Sequence, residues 1–191
     1  IGREDEDVSD EIRAILEREG IVVRTGATCL AIEQGDGGIS VGVAYDSGVP
    51  KVAGSHLLLA TGRTPNTDVL GLERAGIAVD ARGFITVNDK LETNVPGVYA
   101  LGDVNGRGAF THTSWNDYEI VAANLFDGDN RRVTDRIPTY APFTDPPFGR
   151  PGLSFNEAPA AGRPLRAAQL PLAPAGRVRG ACASTGSLEP R

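Results

Sequence analysis

At 191 residues, 40% of them hydrophobic, the chain has room for one ordinary domain or pieces of two, with enough apolar content for a core. Glycine (24) and proline (13) together stay below the roughly 25–30% of low-complexity chains, so most of the chain is expected to fold. The net charge of −6 hides a basic tail: residues 1–20 hold eight acidic and three basic side chains, whereas residues 151–191 hold two acidic side chains and five arginines. With six prolines, nine alanines and little aromatic interleaving, that tail gives nucleic-acid binding weak support.

Cys29 and Cys182 match no metal or redox spacing, which argues against a disulfide framework or zinc site and fits a reducing, cytoplasmic setting. The longest apolar run, Leu57 to Ala60, is far short of the roughly 20 residues that cross a bilayer, and no leader pattern precedes it. A soluble, untargeted chain is expected. The absence of methionine, even at position 1, makes the sequence read as an excerpt from a longer one.

The first element is a helix over residues 7–20: Val8, Ile12, Ile15 and Leu16 recur at helical spacing, Asp7 or Ser9 can cap the start, and Gly20 can end it. Strands are expected at Ile21–Arg24, Thr28–Glu33, Ser40–Tyr45 and Val52–Ala60. Gly35-Asp36-Gly37-Gly38 and Asp46-Ser47-Gly48 mark turns of an antiparallel meander. Val41, Val43 and Tyr45 alternate with Gly42 and Ala44, so the larger side chains should face a core. A loop from Gly62 to about Gly83 precedes strands at Phe84–Val87 and Val98–Leu101 and a helix from about Thr113 to Asp127. Together these make a mixed α/β pattern.

Three segments can carry chemistry. Leu57-Leu58-Leu59-Ala60-Thr61-Gly62-Arg63 reads as a buried strand ending in Thr-Gly, which places a glycine at the carboxyl edge of a sheet, where open α/β folds bind ligands; read alone, it is more often just a turn. Pro96-Gly97 launches an apolar strand ending in Gly102-Asp103, which delivers a carboxylate to the same edge. A sugar-like hydroxyl is a natural partner for that carboxylate, and capping the next turn is the bland alternative. Thr111, Thr113 and Ser114 then offer N-caps for a helix whose Trp115, Tyr118, Ala122 and Leu125 read as a core stripe closed by Gly128. Its N-terminus favours an anion or a polarised carbonyl. His112 lacks the partnered carboxylate or cysteine of a catalytic constellation, and His56 reads as a strand residue.

Ala60-Thr61-Gly62-Arg63-x-Pro65-Asn66 followed by Thr93-x-x-Pro96-Gly97-Val98-Tyr99-Ala100-Leu101-Gly102-Asp103 resembles the paired signatures of the FAD-dependent pyridine nucleotide-disulfide oxidoreductases. Phe110 to Tyr118, and Thr144-Asp145-Pro146-Pro147-x-Gly149-Arg150, look most like the mercuric-reductase-like branch. The resemblance implies a partial FAD/NAD(P)-binding Rossmann-like fold with an antiparallel β-meander. It assigns residues 1–62 to the end of an NAD(P) domain, 63–136 to the second half of an FAD domain, and 137–191 to the start of a truncated α+β dimerisation domain. Asp103 is expected to bind a flavin ribitol hydroxyl and Gly102 to permit its close approach. The backbone at Thr113, Ser114 and Trp115 would face the flavin pyrimidine carbonyl, while Thr61, Gly62 and Arg63 would line the junction of the two nucleotide domains.

By the same resemblance the complete protein passes hydride from NAD(P)H through FAD to a disulfide, a mercuric ion or a similar acceptor, as a homodimer without nucleic-acid or membrane partners. The G-x-G-x-x-G fingerprints, the close redox cysteine pair and the C-terminal His-Glu pair do not occur in these residues, so the 191 residues alone are expected to be inactive. A non-catalytic remnant and a reductase without redox cysteines are the alternatives. Pro142, Pro151 and Pro159 fall where the family runs strand and helix, and the likeness fades from about Ala175. A dimer interface built from this end is therefore doubtful.

Overall fold

In the computed structural model the described residues are 2, 4–35, 37–44, 50–160 and 162, with the short pairs 170–171 and 187–188. The chain divides into two compact units, Ile1–Leu58 with Ile137–Arg191, and Leu59–Arg136.

The first unit opens with α1, Glu6–Arg18, which buries Ile12 and Ile15 on the face expected from their spacing. The helix starts before both candidate caps. Asp5 stands at the N-cap with extended backbone, and Ser9 donates its N–H to the Asp5 carbonyl (3.0 Å). The end is a Schellman closure: Gly20, at φ +83°, donates to the Glu17 carbonyl (3.0 Å), and Ile21 donates to the Leu16 carbonyl (3.1 Å). That closure corrects the strand expected at Ile21–Arg24, because the Ile21 N–H is already spent on the helix; the segment is irregular and largely exposed.

The meander forms as expected, with β1 at Thr28–Gly35, β2 at Gly38–Ala44 and β3 at Lys51–Gly54 in the antiparallel order β1-β2-β3. Thr28 pairs with Ala44, Gly35 with Gly38 and Val41 with Val52, and a bulge lies between Cys29 and Ala31. The buried position of β2 is Gly42, while Val41 and Val43 are only partly buried, so the expected division into a heavy core face and a thin face does not hold. Tyr45, Asp36 and the Asp46-Ser47-Gly48 turn lie outside the described residues, as does Cys182.

The strand expected over Val52–Ala60 stops at Gly54. Residues 57–60, read as a buried strand, are exposed, Leu58 to 88%. A parallel-sheet strand is buried by ladder neighbours and by layers on both faces, and no strand among the described residues pairs with this segment. His56 is likewise an exposed residue beyond β3, its Nδ1 3.0 Å from Ser55 Oγ.

Residues 137–160 belong to the first unit. β4 (Thr139–Tyr140) pairs antiparallel with β5 (Arg150–Pro151), and α3 (Glu157–Ala160) follows. The three prolines are accommodated: Pro142 lies outside strand and helix, Pro151 ends a two-residue pairing, and Pro159 lies in the first turn of α3, where its missing N–H has no helical acceptor to lose. Ser154 and Glu157 form a capping box, with the Glu157 N–H donating to Ser154 Oγ (3.1 Å) and the Ser154 N–H to the Glu157 carboxylate (2.7 Å). The buried Asp5 carboxylate accepts the N–H groups of Phe155 (2.6 Å) and Asn156 (3.1 Å), and Arg150 pairs with Glu4 at 3.0 Å. The two stretches of this unit are thereby tied by side chain to backbone. Beyond them, β6 (Leu170–Pro171) pairs antiparallel with β7 (Ser187–Leu188).

In the second unit the strands expected at Phe84–Val87 and Val98–Leu101 shrink to single bridges, Val79 with Ile85 and Glu92 with Tyr99. Side chains close the turns between them: Asp80 Oδ1 accepts the N–H groups of Arg82 and Phe84, and Asn88 Oδ1 those of Lys90 and Glu92. The Phe84 N–H, more than any other partner, holds the Asp80 carboxyl below its ordinary value. These turns pack on α2, Thr111–Phe126, through a core of Leu91, Ile120 and Val121 flanked by Val87, Tyr99, Leu101 and Val133. No described helix is long and apolar enough to cross a membrane.

Leu91 is fully buried, so truncation to alanine leaves a cavity; Leu91→Ala is expected to lower unfolding free energy by about 2–5 kcal/mol in urea titrations. The Ser154 N–H, seconded by Arg150, lowers the Glu157 pKa from its ordinary 4.5. A carboxylate depressed in the folded state stabilises above its unfolded pKa and loses that contribution as pH falls through the folded one. Wild type should therefore lose its stability advantage over Glu157→Gln progressively as pH drops below about 4.5, and an advantage that stays constant into acid would refute the assignment.

Candidate functional site

In the second unit the apolar segment Val98–Leu101 runs into a 3-10 turn at Gly102–Asn105. Gly102 sits at φ +77°, and a Cβ there would lie 2.8 Å from Ser114 Oγ and 3.4 Å from Ser114 Cβ. The left-handed backbone requires glycine, and the approach of α2 leaves room for a Cβ only if the Ser114 hydroxyl rotates away. The Gly102 N–H donates to Asp117 Oδ2 (2.9 Å), and the same oxygen accepts Asn105 Nδ2 (2.9 Å), which also reaches the Ala100 carbonyl (3.0 Å). A guanidinium N–H of Arg136 donates to Asp117 Oδ1. Asp117 is 0% exposed, and these partners are what make a buried carboxylate tolerable.

Between the two anchored ends of the turn, Asp103 turns its carboxylate outward. That side chain is 51% exposed and pairs with Arg63 Nη1 at 3.4 Å, the arginine being 77% exposed. An ion pair this open is worth about 0–1 kcal/mol. The carboxylate is therefore held by its backbone rather than by its counter-ion. Gly62 precedes it at φ +131°, with open space where a side chain would stand. Thr61, like Arg63, is exposed.

The helix that follows begins at Thr111, with Phe110 at the N-cap and no side-chain capping bond; Thr111, Thr113 and Ser114 are inside the helix rather than caps. Thr113 and Ser114 both donate their N–H to the Phe110 carbonyl (3.0 and 3.1 Å). Thr113 is buried, closing on Gly108 so tightly that a Cβ there would strike its side chain, and Ser114 abuts Gly102. Trp115, expected in the core with Tyr118 and Leu125, is 64% exposed, and its ring meets that of Tyr118 at 5.4 Å. The buried residues are instead Thr113, Asp117, Ile120, Val121 and Ala123, spaced i, i+4, i+7, i+8, i+10. Two of these five are polar, so a search for apolar periodicity selects the outer face.

Of the residues expected at the site, Arg63 is brought to Asp103 and Ser114 to Gly102. Sequence reasoning missed Asn105, Asp117 and Arg136. The available signal was a carboxylate one helical turn from Thr113 and one turn from Ile120, on a face that must be buried if its neighbours are. His112 stacks on Phe110, with centroids 5.1 Å apart. No group of three potential metal ligands occurs among the described residues.

The sequence profile of the pyridine nucleotide-disulphide oxidoreductases matches residues 2–117. A dihydrolipoyl dehydrogenase of Thermus scotoductus is 35% identical over 176 residues, 91% of this chain and 38% of that protein. A probable pyridine nucleotide-disulfide oxidoreductase, RclA of Escherichia coli, is 36% identical over 180 residues, 93% of this chain and 40% of that one. A mercuric reductase of Streptomyces lividans is 34% identical over 160 residues, 84% of this chain and 34% of that one. Among solved structures, the HOCl-induced flavoprotein disulfide reductase RclA of E. coli superposes with a TM-score of 0.87 at 33% identity, covering 99% of this chain and 43% of that one. LpdA of Mycobacterium tuberculosis superposes with a TM-score of 0.84 at 25% identity, covering 97% and 40%. The fold is thus a partial α/β Rossmann-like fold of this type, and the chain spans about two fifths of the length of these relatives.

The backbone and packing constraints at position 102 can be separated by experiment. Gly102→Ala is expected to lower unfolding free energy by more than the roughly 1–2 kcal/mol of a left-handed alanine. Adding Ser114→Gly should recover the steric excess and leave the backbone cost, as read in a denaturant double-mutant cycle.

Proposed function

Because the chain belongs to the pyridine nucleotide-disulphide oxidoreductase family, we propose that it supplies the flavin-facing portion of an FAD-dependent NAD(P)H oxidoreductase acting in the cytoplasm. FAD, when bound, would supply the two-electron chemistry by which NAD(P)H reduces a disulfide, a mercuric ion or a similar acceptor. In this reading residues 1–62 close an NAD(P) domain, residues 63–136 are the second half of an FAD domain, and residues 137–191 begin the dimerisation domain of a homodimer.

The observation that carries the reading is the presentation of Asp103. A carboxylate at the end of an apolar segment, anchored by its backbone and only weakly paired with Arg63, suits a polyol hydroxyl that donates to it. Gly102, without a side chain, lets a ligand come close to the turn. The start of α2 around Thr113, Ser114 and Trp115 adds the positive end of a helix dipole, which favours charge on a nearby carbonyl oxygen. Thr61, Gly62 and Arg63 line the approach, with Gly62 leaving its side open.

The proposal is tested by flavin content and affinity. A full-length protein containing these residues should purify yellow, and Asp103→Ala should weaken FAD binding about 10–100-fold in a fluorescence titration, since hydrogen bonds to charged groups contribute about 1.5–3 kcal/mol. The 191-residue chain alone should purify colourless. Unchanged affinity in Asp103→Ala would contradict the assignment, and stoichiometric flavin on the 191-residue chain would contradict the expectation that these residues do not suffice to hold it.

A further inference from the structure

We propose that Asp117 is the positioning residue for Asp103: by bonding both ends of the Gly102–Asn105 turn with one carboxylate oxygen, it sets the direction in which the Asp103 side chain leaves the turn. The inference rests on the flavin reading above, and it concerns a helix residue that does not itself face the ligand.

Asp117 Oδ2 accepts the Gly102 N–H and Asn105 Nδ2, each at 2.9 Å. Those donors flank Asp103 on either side, so the four-residue turn is pinned at its first and last positions to a single atom of α2. Asn105 carries the restraint further: its Nδ2 also donates to the Ala100 carbonyl (3.0 Å), and its Oδ1 accepts the Arg107 N–H (2.9 Å), which fastens the segments before and after the turn. Arg136 occupies the remaining oxygen, Oδ1, and neutralises the charge. Nothing in α2 itself needs this carboxylate, because both of its oxygens are spent on groups outside the helix. A buried ion pair is often no better for stability than an apolar packing of the same volume. What this pair supplies is a fixed backbone under a carboxylate whose own partner, Arg63, is too exposed to hold it.

The experiment is a double-mutant cycle in the flavin-loaded full-length protein, with FAD affinity and the visible circular dichroism of the bound flavin as readouts. Asp117→Asn keeps the shape of the side chain and removes its charge. It is expected to weaken FAD binding roughly tenfold when Asp103 is present and less than twofold in the Asp103→Ala background, because a positioning residue has nothing to position once its client is gone. Amide hydrogen exchange at Gly102 should accelerate in Asp117→Asn in both backgrounds. Asn105→Ala, which removes the second anchor and leaves the buried ion pair, should show the same non-additivity and serves if Asp117→Asn does not fold. Equal loss of affinity with and without Asp103 would mean that Asp117 acts only on stability, and unchanged affinity in Asp117→Asn would also overturn the proposal. If Asp103→Ala alone leaves affinity unchanged, the flavin reading fails and the positioning role fails with it; a loss in Asp103→Ala with none in either partner variant sinks the positioning role alone.

Discussion

The second unit is organised around one buried charge. A carboxylate removed from water is costly unless its oxygens are filled, and Asp117 fills them with a backbone N–H, a side-chain amide and a guanidinium drawn from three places in the chain: residues 102, 105 and 136. Satisfying the carboxylate therefore brings the Gly102 turn, the body of α2 and the end of the unit to one point. The apolar core of Leu91, Ile120 and Val121 supplies the driving force for burial. The polar network decides which way the turn points.

That division of labour separates what is strong from what is free to change. Arg63 and Asp103 sit close enough to pair, yet both are so exposed that water screens most of the attraction. Asp117 and Arg136 make the same kind of pair out of water, where losing one partner leaves an uncompensated charge. A site that must exchange partners suits the first arrangement and a scaffold beneath it the second. The first unit uses a related device: Asp5 and Glu4, immediately before α1, spend their carboxylates on residues 150, 155 and 156, which joins stretches far apart in sequence.

Local patterns carried the parts of the fold whose partners are near in sequence. The meander was legible because its turns are glycine-rich and its strands adjacent, and α1 because Ile12 and Ile15 repeat at helical spacing with Gly20 ready to close it. Residues 57–60 misled because a run of leucines is the mark of a buried strand, whereas burial depends on neighbours that the run itself cannot reveal. Residues 84–87 and 98–101 misled differently: each pairs through a single bridge only, beside turns closed by the side chains of Asp80 and Asn88. On α2 the apolar residues Trp115, Tyr118 and Leu125 outscored the true inner face because Thr113 and Asp117 are polar.

By itself the sequence determined the mixed α/β character, the meander, the family likeness and the Gly-Asp and Thr-Gly-Arg segments, since each is written in residues a few positions apart or in a motif of fixed spacing. Only the tertiary structure decided which face of α2 turns inward, that Gly102 lies against Ser114, and that Asn105, Asp117 and Arg136 form one network. The reason is physical. A hydrogen bond between residues 102 and 117, or an ion pair between 117 and 136, leaves no periodic trace in the chain, and whether a carboxylate is buried and paired is settled by what folds around it.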